Sequence, residues 1–291
     1  MLVGSIVALV TPMQSDHQID YVALKRLIDW HIESGTDGIV LGGTTGESVT
    51  LTGDEYTILI EKTLEYVNGH IPIIVGAGGN STQSVIQLAK QAKRAGAQSI
   101  LSVVPYYNKP TQEGIYQHFV TIAEAVDIKI VLYNVPSRTV ADMHNQTTLR
   151  LAQIANIVGI KDATANLARV AELIFRAPKN FAIYSGDDAT AMAFILCGGH
   201  GAVSVCANIV PQAFHSMCAA ALSGNIVQAR TQNAHLYKLY EHLFIETNPS
   251  PAKWALYRLG LAGKHVRLPL VPLSPSACKI LDSTLRELHI L

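Results

Sequence analysis

Charge is scarce in this sequence, and neither sign prevails. Asp, Glu, Lys and Arg make up 15% of the 291 residues, 22 basic against 22 acidic. No block of like charge occurs, which argues against a nucleic-acid stripe or a patch for anionic membranes. The expected partner is a small, uncharged or weakly charged molecule. Cysteine is sparse too: Cys197, Cys206, Cys218 and Cys278 form no CxxC pair. With no paired Cys/His spacing and no HExxH among the scattered histidines, no metal site is expected. The cysteines read as small core residues in a reducing compartment. No apolar run reaches the roughly 18 residues of a membrane span. The opening MLVGSIVALVTPM lacks a basic n-region and meets Pro12 early, so it reads as a first strand rather than a signal peptide. A cytoplasmic location is expected, and no low-complexity linker divides the chain.

What the sequence does have is apolar content, 49% of residues, arranged in short β-branched runs that alternate with helical patterns. Eight runs read as strands: 5–10, 38–43, 71–78, 99–104, 128–135, 156–161, 181–186 and 201–207. Each has few polar residues, as parallel strands covered on both faces require. Between them, 21–34 places Leu24, Leu27, Ile28 and Ile32 on one helical face, after Asp20 as N-cap and before Gly35 as stop. Thr52-Gly-Asp-Glu55 is a capping box for a helix ending near Gly69. Ser81 opens a third helix, and further helices start near Thr111, Asn145, Asn166 and Asp188. After the eighth strand the pattern is purely helical, over 211–223, 225–246, 251–260 and 275–289, with Ser250-Pro251 and Ser274-Pro275 as N-cap/N1 pairs.

Alternating β and α elements imply a parallel sheet. Eight such units favour a closed α/β structure, the (β/α)8 TIM barrel, over an open doubly wound sheet. The open fold usually carries a glycine-rich phosphate turn after its first strand, where this chain has Val10-Thr11-Pro12. The expected organisation is a barrel over 1–224 carrying the active site, and a C-terminal helical extension over 225–291 serving as an appendage for assembly.

Barrel enzymes place their chemistry at the C-terminal ends of strands. There the sixth run, NIVGIKDAT (156–164), ends on Lys161. Lysine is almost never fully buried without a partner. A desolvated lysine gives up its proton more readily and becomes a nucleophile, although a strand-end lysine can equally snorkel to water. The second run ends in GGTTGES (42–48), a turn whose hydroxyls and N–H groups suit an anion, or a plain βα connection. GAGGNST (76–82) resembles a phosphate loop weakly, and tight packing explains its glycines as well. PYYNKP (105–110) holds adjacent tyrosines that suit proton relay or interface packing. YNVPSRT (133–139) supplies Tyr133 and Arg138, the latter a carboxylate binder or a loop brace. In SGDD (185–188), Gly186 leaves room for a ligand, and Asp187 and Asp188 read as helix caps rather than an acid/base pair.

Taken together, a lysine, a tyrosine, threonine hydroxyls and an arginine at one barrel mouth suit Schiff-base chemistry on a keto acid. The neutral amine attacks the ketone, and the iminium then acts as electron sink and acidifies the adjacent methyl. A tyrosine shuttles protons while N–H groups and hydroxyls hold the carboxylate. No cofactor is required.

GTTGES, PYYNKP, YNVPSRT, GIKDAT, SGDD and NPSPAKW (248–254) lie in the order and spacing found in the dihydrodipicolinate synthase family, within the pyruvate-dependent class I aldolases that include N-acetylneuraminate lyase. The chain resembles that family over essentially its whole length. The resemblance implies condensation of pyruvate with L-aspartate 4-semialdehyde, the entry to diaminopimelate and lysine synthesis. It implies that Lys161 forms the imine, that Tyr133 is the acid/base and hydrogen-bonds with Thr44, and that Tyr107 reaches the neighbouring subunit's site to complete the relay. Thr45 would bind the pyruvate carboxylate and Arg138 that of the second substrate, while Gly186 and Val203 would line the site through their backbones. A homotetramer, a dimer of tight dimers, is implied as well. Ser48, Asn80 and Tyr106 match an allosteric lysine site. Gly53 and Tyr56 stand where strongly regulated members have histidines, and Ser84 where they have a glutamate, so weak or absent lysine inhibition is expected. Asp162 replaces a commoner glutamate, another acid.

The nearest rival is a sister enzyme, a sialic acid lyase or 2-keto-3-deoxy sugar acid aldolase, against which Arg138 and Tyr107 argue. More distant rivals are a non-catalytic keto-acid-binding barrel and a phosphosugar isomerase-like barrel resting on GAGGNST.

Overall fold

Eight parallel β-strands follow one another in chain order, and the eighth pairs with the first to close a barrel. They are β1 Gly4–Ala8, β2 Gly38–Leu41, β3 Ile73–Gly76, β4 Ser99–Val103, β5 Lys129–Asn134, β6 Ile157–Asp162, β7 Ala182–Ser185 and β8 Gly201–Ser204. This computed structural model describes residues 1–291. The surrounding helices are α1 Tyr21–Glu33, α2 Gly53–Val67, α3 Thr82–Arg94, α4 Gln112–Ala125, a short α5 Pro136–Thr139, α6 Asn145–Leu151, α7 Leu167–Arg176 and α8 Ala191–Leu196. Four more complete the chain: α9 Pro211–Leu222, α10 Ile226–His242, α11 Ser250–Arg258 and α12 Pro275–Glu287. No helix is long and apolar enough to cross a membrane.

Strand alternation sorts the core into two layers. Ile6, Val40, Ile74, Leu101, Val131 and Val203 fill the barrel interior. Their neighbours Val7, Ile39, Val75, Ile100, Ile130 and Ile183 face outward onto the helices. That outer core also takes in Leu236, Leu239, Leu256 and Leu281, so α10 to α12 share one apolar mass with the barrel.

The seam between β1 and β8 is close. A Cβ on Gly201 would lie 2.1 Å from the Gly4 carbonyl oxygen. Beyond the strands, Asn208 bridges the same seam: its Nδ2 donates to the Ala8 carbonyl (2.8 Å) and its Oδ1 accepts from the Val10 N–H (3.1 Å).

Asp20, Thr52, Ser81, Thr111, Asn166 and Ser274 each cap the helix that follows, and the Thr52–Glu55 capping box forms as the sequence implies. Two caps differ. Ser250 lies inside α11, with Pro249 as N-cap, and its hydroxyl donates to the Val271 carbonyl. Asp188 opens no helix: α8 starts at Ala191, and the Asp188 carboxylate instead accepts the N–H groups of Val205 and Cys206. Burial raises its pKa to about 6.

Candidate active site

Ile160 packs outward against the helices, so the next residue on β6, Lys161, faces the barrel interior. It is 7% exposed and makes no ion pair with any carboxylate of the chain. Tyr133 stands beside it in register on β5, and the Lys161 Nζ lies 4.3 Å from the centre of the Tyr133 ring. The lysine stem is pressed by Gly186 on the other side, where a Cβ would come within 2.8 Å of Lys161 Cε. Asp162 faces away from the barrel bore and is held by Arg169 (3.2 Å) and by the Thr164 hydroxyl (2.5 Å).

A cavity of about 200 Å3 opens over this lysine at the C-terminal end of the barrel. Lys161, Tyr133, Thr44, Thr45, Arg138 and Gly186 all line it. Thr45 is buried, and its Oγ1 accepts a hydrogen bond from Asn248 Nδ2 at 3.0 Å. Its own proton is therefore free to be donated into the cavity. Arg138 sits exposed at the mouth on α5 and makes no ion pair, so it is not a loop brace. A lysine amine beside a phenol, with hydroxyl donors and a guanidinium within one hollow, can bind an α-keto acid, form an imine and move protons at the carbon next to it.

Three expectations need correction. No hydrogen bond joins Tyr133 to Thr44; both line the cavity, and the face of the tyrosine ring is engaged by the Lys161 amine instead. Val203 belongs to the barrel-interior cluster and is not among the residues lining the cavity, whereas Val205, one alternation further along, is. The carboxylates of the SGDD turn tie loops together: Asp187 accepts the Thr190 N–H and hydroxyl, and Asp188 the loop after β8. Tyr107 lies outside its own chain's cavity. It is 87% exposed, on backbone with φ of 71°, a conformation that costs a bulky residue about 1–2 kcal/mol.

An adjoining hollow of about 140 Å3 shares Thr44, Tyr133 and Arg138 and is also lined by Ser48 and Tyr106. Asn80 is not part of its lining; its carbonyl accepts Asn108 Nδ2. The Tyr56 hydroxyl is spent on the Gly76 carbonyl (3.0 Å), the Gly53 carbonyl accepts Gln91 Nε2, and Ser84 is exposed on the first turn of α3. The GAGG glycines serve packing: a Cβ on Gly76 would meet the Gly42 carbonyl at 2.0 Å, and one on Gly78 the Val103 nitrogen at 2.5 Å. A larger hollow, about 980 Å3, opens at the N-terminal end of the barrel, where Asp37 and Lys129 are its charged side chains. Barrel chemistry belongs to the other end.

The sequence reading passed over Phe244 and Asn248, which line the cavity from the C-terminal segment, so residues 1–224 do not build it alone. It also passed over the buried pair of Glu47 and Lys253. The available signal was a lysine inside NPSPAKW, a stretch otherwise poor in charge.

The model of the dihydrodipicolinate synthetase family matches residues 1–288. A 4-hydroxy-tetrahydrodipicolinate synthase of Azoarcus sp. (strain BH72) is 58% identical over 276 residues, 95% of this chain and 94% of that protein. The enzyme of the same name from Nitrosomonas eutropha (strain DSM 101675 / C91 / Nm57) is 60% identical over 274 residues, 94% of each. Among solved structures, the chloride-inhibited dihydrodipicolinate synthase of Acinetobacter baumannii complexed with pyruvate superposes with a TM-score of 0.98 at 48% identity, covering 100% of both chains.

Proposed function

The chain belongs to the dihydrodipicolinate synthetase family, with 4-hydroxy-tetrahydrodipicolinate synthase activity, and from that premise we propose how its residues divide the work. Pyruvate enters the cavity carboxylate first and is held by the Thr45 hydroxyl and N–H groups of the GGTTGE turn. The Lys161 amine attacks the ketone, and loss of water leaves an iminium. Removal of a methyl proton gives the enamine, with Tyr133 and Thr44 as the groups that carry protons. Arg138 at the mouth receives the carboxylate of L-aspartate 4-semialdehyde, whose aldehyde carbon is attacked by the enamine. The substrate's own amine then attacks the imine carbon and expels Lys161, closing the ring. Gly186 leaves the space in which the lysine stem lies.

The observation that carries this reading is the meeting of Lys161, Tyr133, Thr44, Thr45 and Arg138 in one small cavity. It is tested by following pyruvate-dependent consumption of aspartate semialdehyde, coupled to the next reductase of the pathway. Borohydride should trap pyruvate on the wild-type chain and not on Lys161→Ala. Trapping in that variant would overturn the assignment. Turnover of N-acetylneuraminate or 2-keto-3-deoxygluconate in place of the semialdehyde would reassign the enzyme to a sister aldolase.

We also read the protein as a cytoplasmic homotetramer, a dimer of tight dimers in which Tyr107 completes the partner's relay. The support is an aromatic ring held in solvent on costly backbone, on a chain that also leaves Val49 exposed. Ser48, Asn80 and Tyr106 are proposed as a vestigial effector site. With Tyr56 committed to Gly76 and no carboxylate at Ser84, lysine should inhibit weakly or not at all.

A further inference from the structure

Lys253 is 0% exposed, a charge-bearing side chain among the largest fully buried ones in the molecule. Its Nζ contacts the Glu47 carboxylate and donates to the His265 carbonyl (2.8 Å). Glu47 is buried as well, and its other carboxylate oxygen accepts the Arg267 N–H at 3.0 Å. The pair stands at the end of the turn that carries Thr44 and Thr45. Glu47 has left-handed backbone (φ 56°, ψ 37°), and its N–H donates to the Thr44 carbonyl at 3.1 Å. Gly46 before it has no room for a side chain, with the Gly42 nitrogen 3.0 Å from where a Cβ would be. The Gly46 carbonyl accepts the Thr11 hydroxyl (2.7 Å). The Thr44 carbonyl, Gly46 and Glu47 are thus held in place, and the far end of the turn is fixed by a side chain some 200 residues away in sequence, on α11.

Resting on the imine reading above, we propose that the buried Glu47–Lys253 ion pair is a positioning device for Thr44 and Thr45, so that the C-terminal segment sets the geometry of the proton relay. A buried ion pair is weak support for stability, since apolar side chains of similar volume do as well. What it adds is direction: a carboxylate gripped from one side by an ammonium and from the other by a backbone N–H has one place to be. Asn248, from the same segment, grips Thr45 Oγ1 directly. Lys253 touches no cavity surface, so it acts through Glu47 and the turn rather than on the substrate.

The test compares wild type with Glu47→Gln/Lys253→Met, which removes both charges and leaves an acceptor for the Arg267 N–H. The readouts are borohydride trapping of pyruvate on Lys161 and deuterium exchange at the pyruvate methyl, followed by NMR. Exchange needs the imine and the relay but not the second substrate. Misplacement of a catalytic group by about 1 Å costs on the order of 10²-fold. We expect trapping within about twofold of wild type and exchange slowed ~10- to 100-fold. Half-saturation by pyruvate should rise as Thr45 loosens. Glu47→Gln alone keeps the side-chain shape and serves if the double variant does not fold; a severalfold slower exchange is expected there. Exchange within twofold of wild type in a folded variant overturns the proposal, as does an equal fall in trapping and exchange, which marks a merely structural role. Wild-type protein that exchanges pyruvate but leaves aspartate semialdehyde untouched would refute the substrate assignment and leave this comparison standing.

Discussion

Adding one methyl group at Gly186 should cripple imine formation while leaving the barrel folded. Gly186 does not have positive φ, so alanine suits its backbone, and only space is at issue. The added Cβ would lie 2.8 Å from Lys161 Cε, 3.1 Å from Lys161 Cγ and 2.8 Å from Ala163 Cβ. Carbon atoms rest at about 3.5–4.0 Å, so each of the closest contacts is short by at least ~0.7 Å. Ala163 has no side-chain torsion to yield, so the lysine stem must move. Its Nζ is then carried off the Tyr133 ring and out of line with the carboxylate site by about 1 Å, a loss on the order of 10²-fold in rate, or ~2.7 kcal/mol of barrier. The overpacking itself costs about 1–3 kcal/mol of stability. The assay is the time course of borohydride-trapped pyruvate adduct, read by mass spectrometry, beside a thermal melt. Adduct formation at the wild-type rate in folded Gly186→Ala would refute the packing argument, since the lysine would then have room that the geometry denies it.

Tyr133→Phe should still trap pyruvate but lose roughly two to four powers of ten in turnover, the usual worth of a general acid/base; full activity would remove Tyr133 from the relay. Tyr107→Phe should slow turnover without changing imine formation, and mixing it with a folded, inactive Lys161→Ala chain should restore part of the rate if the tyrosine serves the partner's site. An unchanged Tyr107→Phe rate would argue against the cross-subunit role. Acid should destabilise the fold: burial lowers His31 to about 3 and His118 to about 4, against about 6.5 in the unfolded chain. Below pH ~6.5 the unfolded state binds those protons and the native state does not, so stability falls as pH drops from there towards 4. Asp188, raised to about 6, works in the opposite sense between about 4 and 6 by taking up a proton in the native state. Thermal melts from pH 7 to 4 should show net proton uptake on unfolding, and a flat profile would contradict the buried neutral histidines.

The eight strands and their order were legible because parallel strands covered on both faces leave a signal too apolar for a surface element. Their C-terminal ends were not. The runs 71–78 and 201–207 continue past β3 at Gly76 and β8 at Ser204, since the loops that follow stay buried and apolar around the site. Lys161 stood out because it interrupts such a run. Asn248 and Lys253 did not, because their importance lies in contacts with Thr45 and Glu47 across about 200 residues of sequence. No local pattern encodes such a contact. Tyr133 and Thr44 were found as residues, but which way the ring faces is a matter of packing between strands. Asp188 has the sequence neighbours of a helix cap, while its partners come from the loop after β8.

The seam where Gly4 meets Gly201 bears on how the molecule is made. β1 leaves the ribosome well before its second hydrogen-bonding partner, β8, the last strand of the barrel. At roughly 5–20 residues per second, the intervening stretch takes on the order of 10–40 s to synthesise. Throughout that interval a flat, apolar strand edge lies open to any other extended chain. Asn208, whose amide clasps both Ala8 and Val10, arrives only after β8 and acts as the latch on the finished ring. Misassembly during translation, rather than melting of the completed barrel, is where this architecture is most exposed.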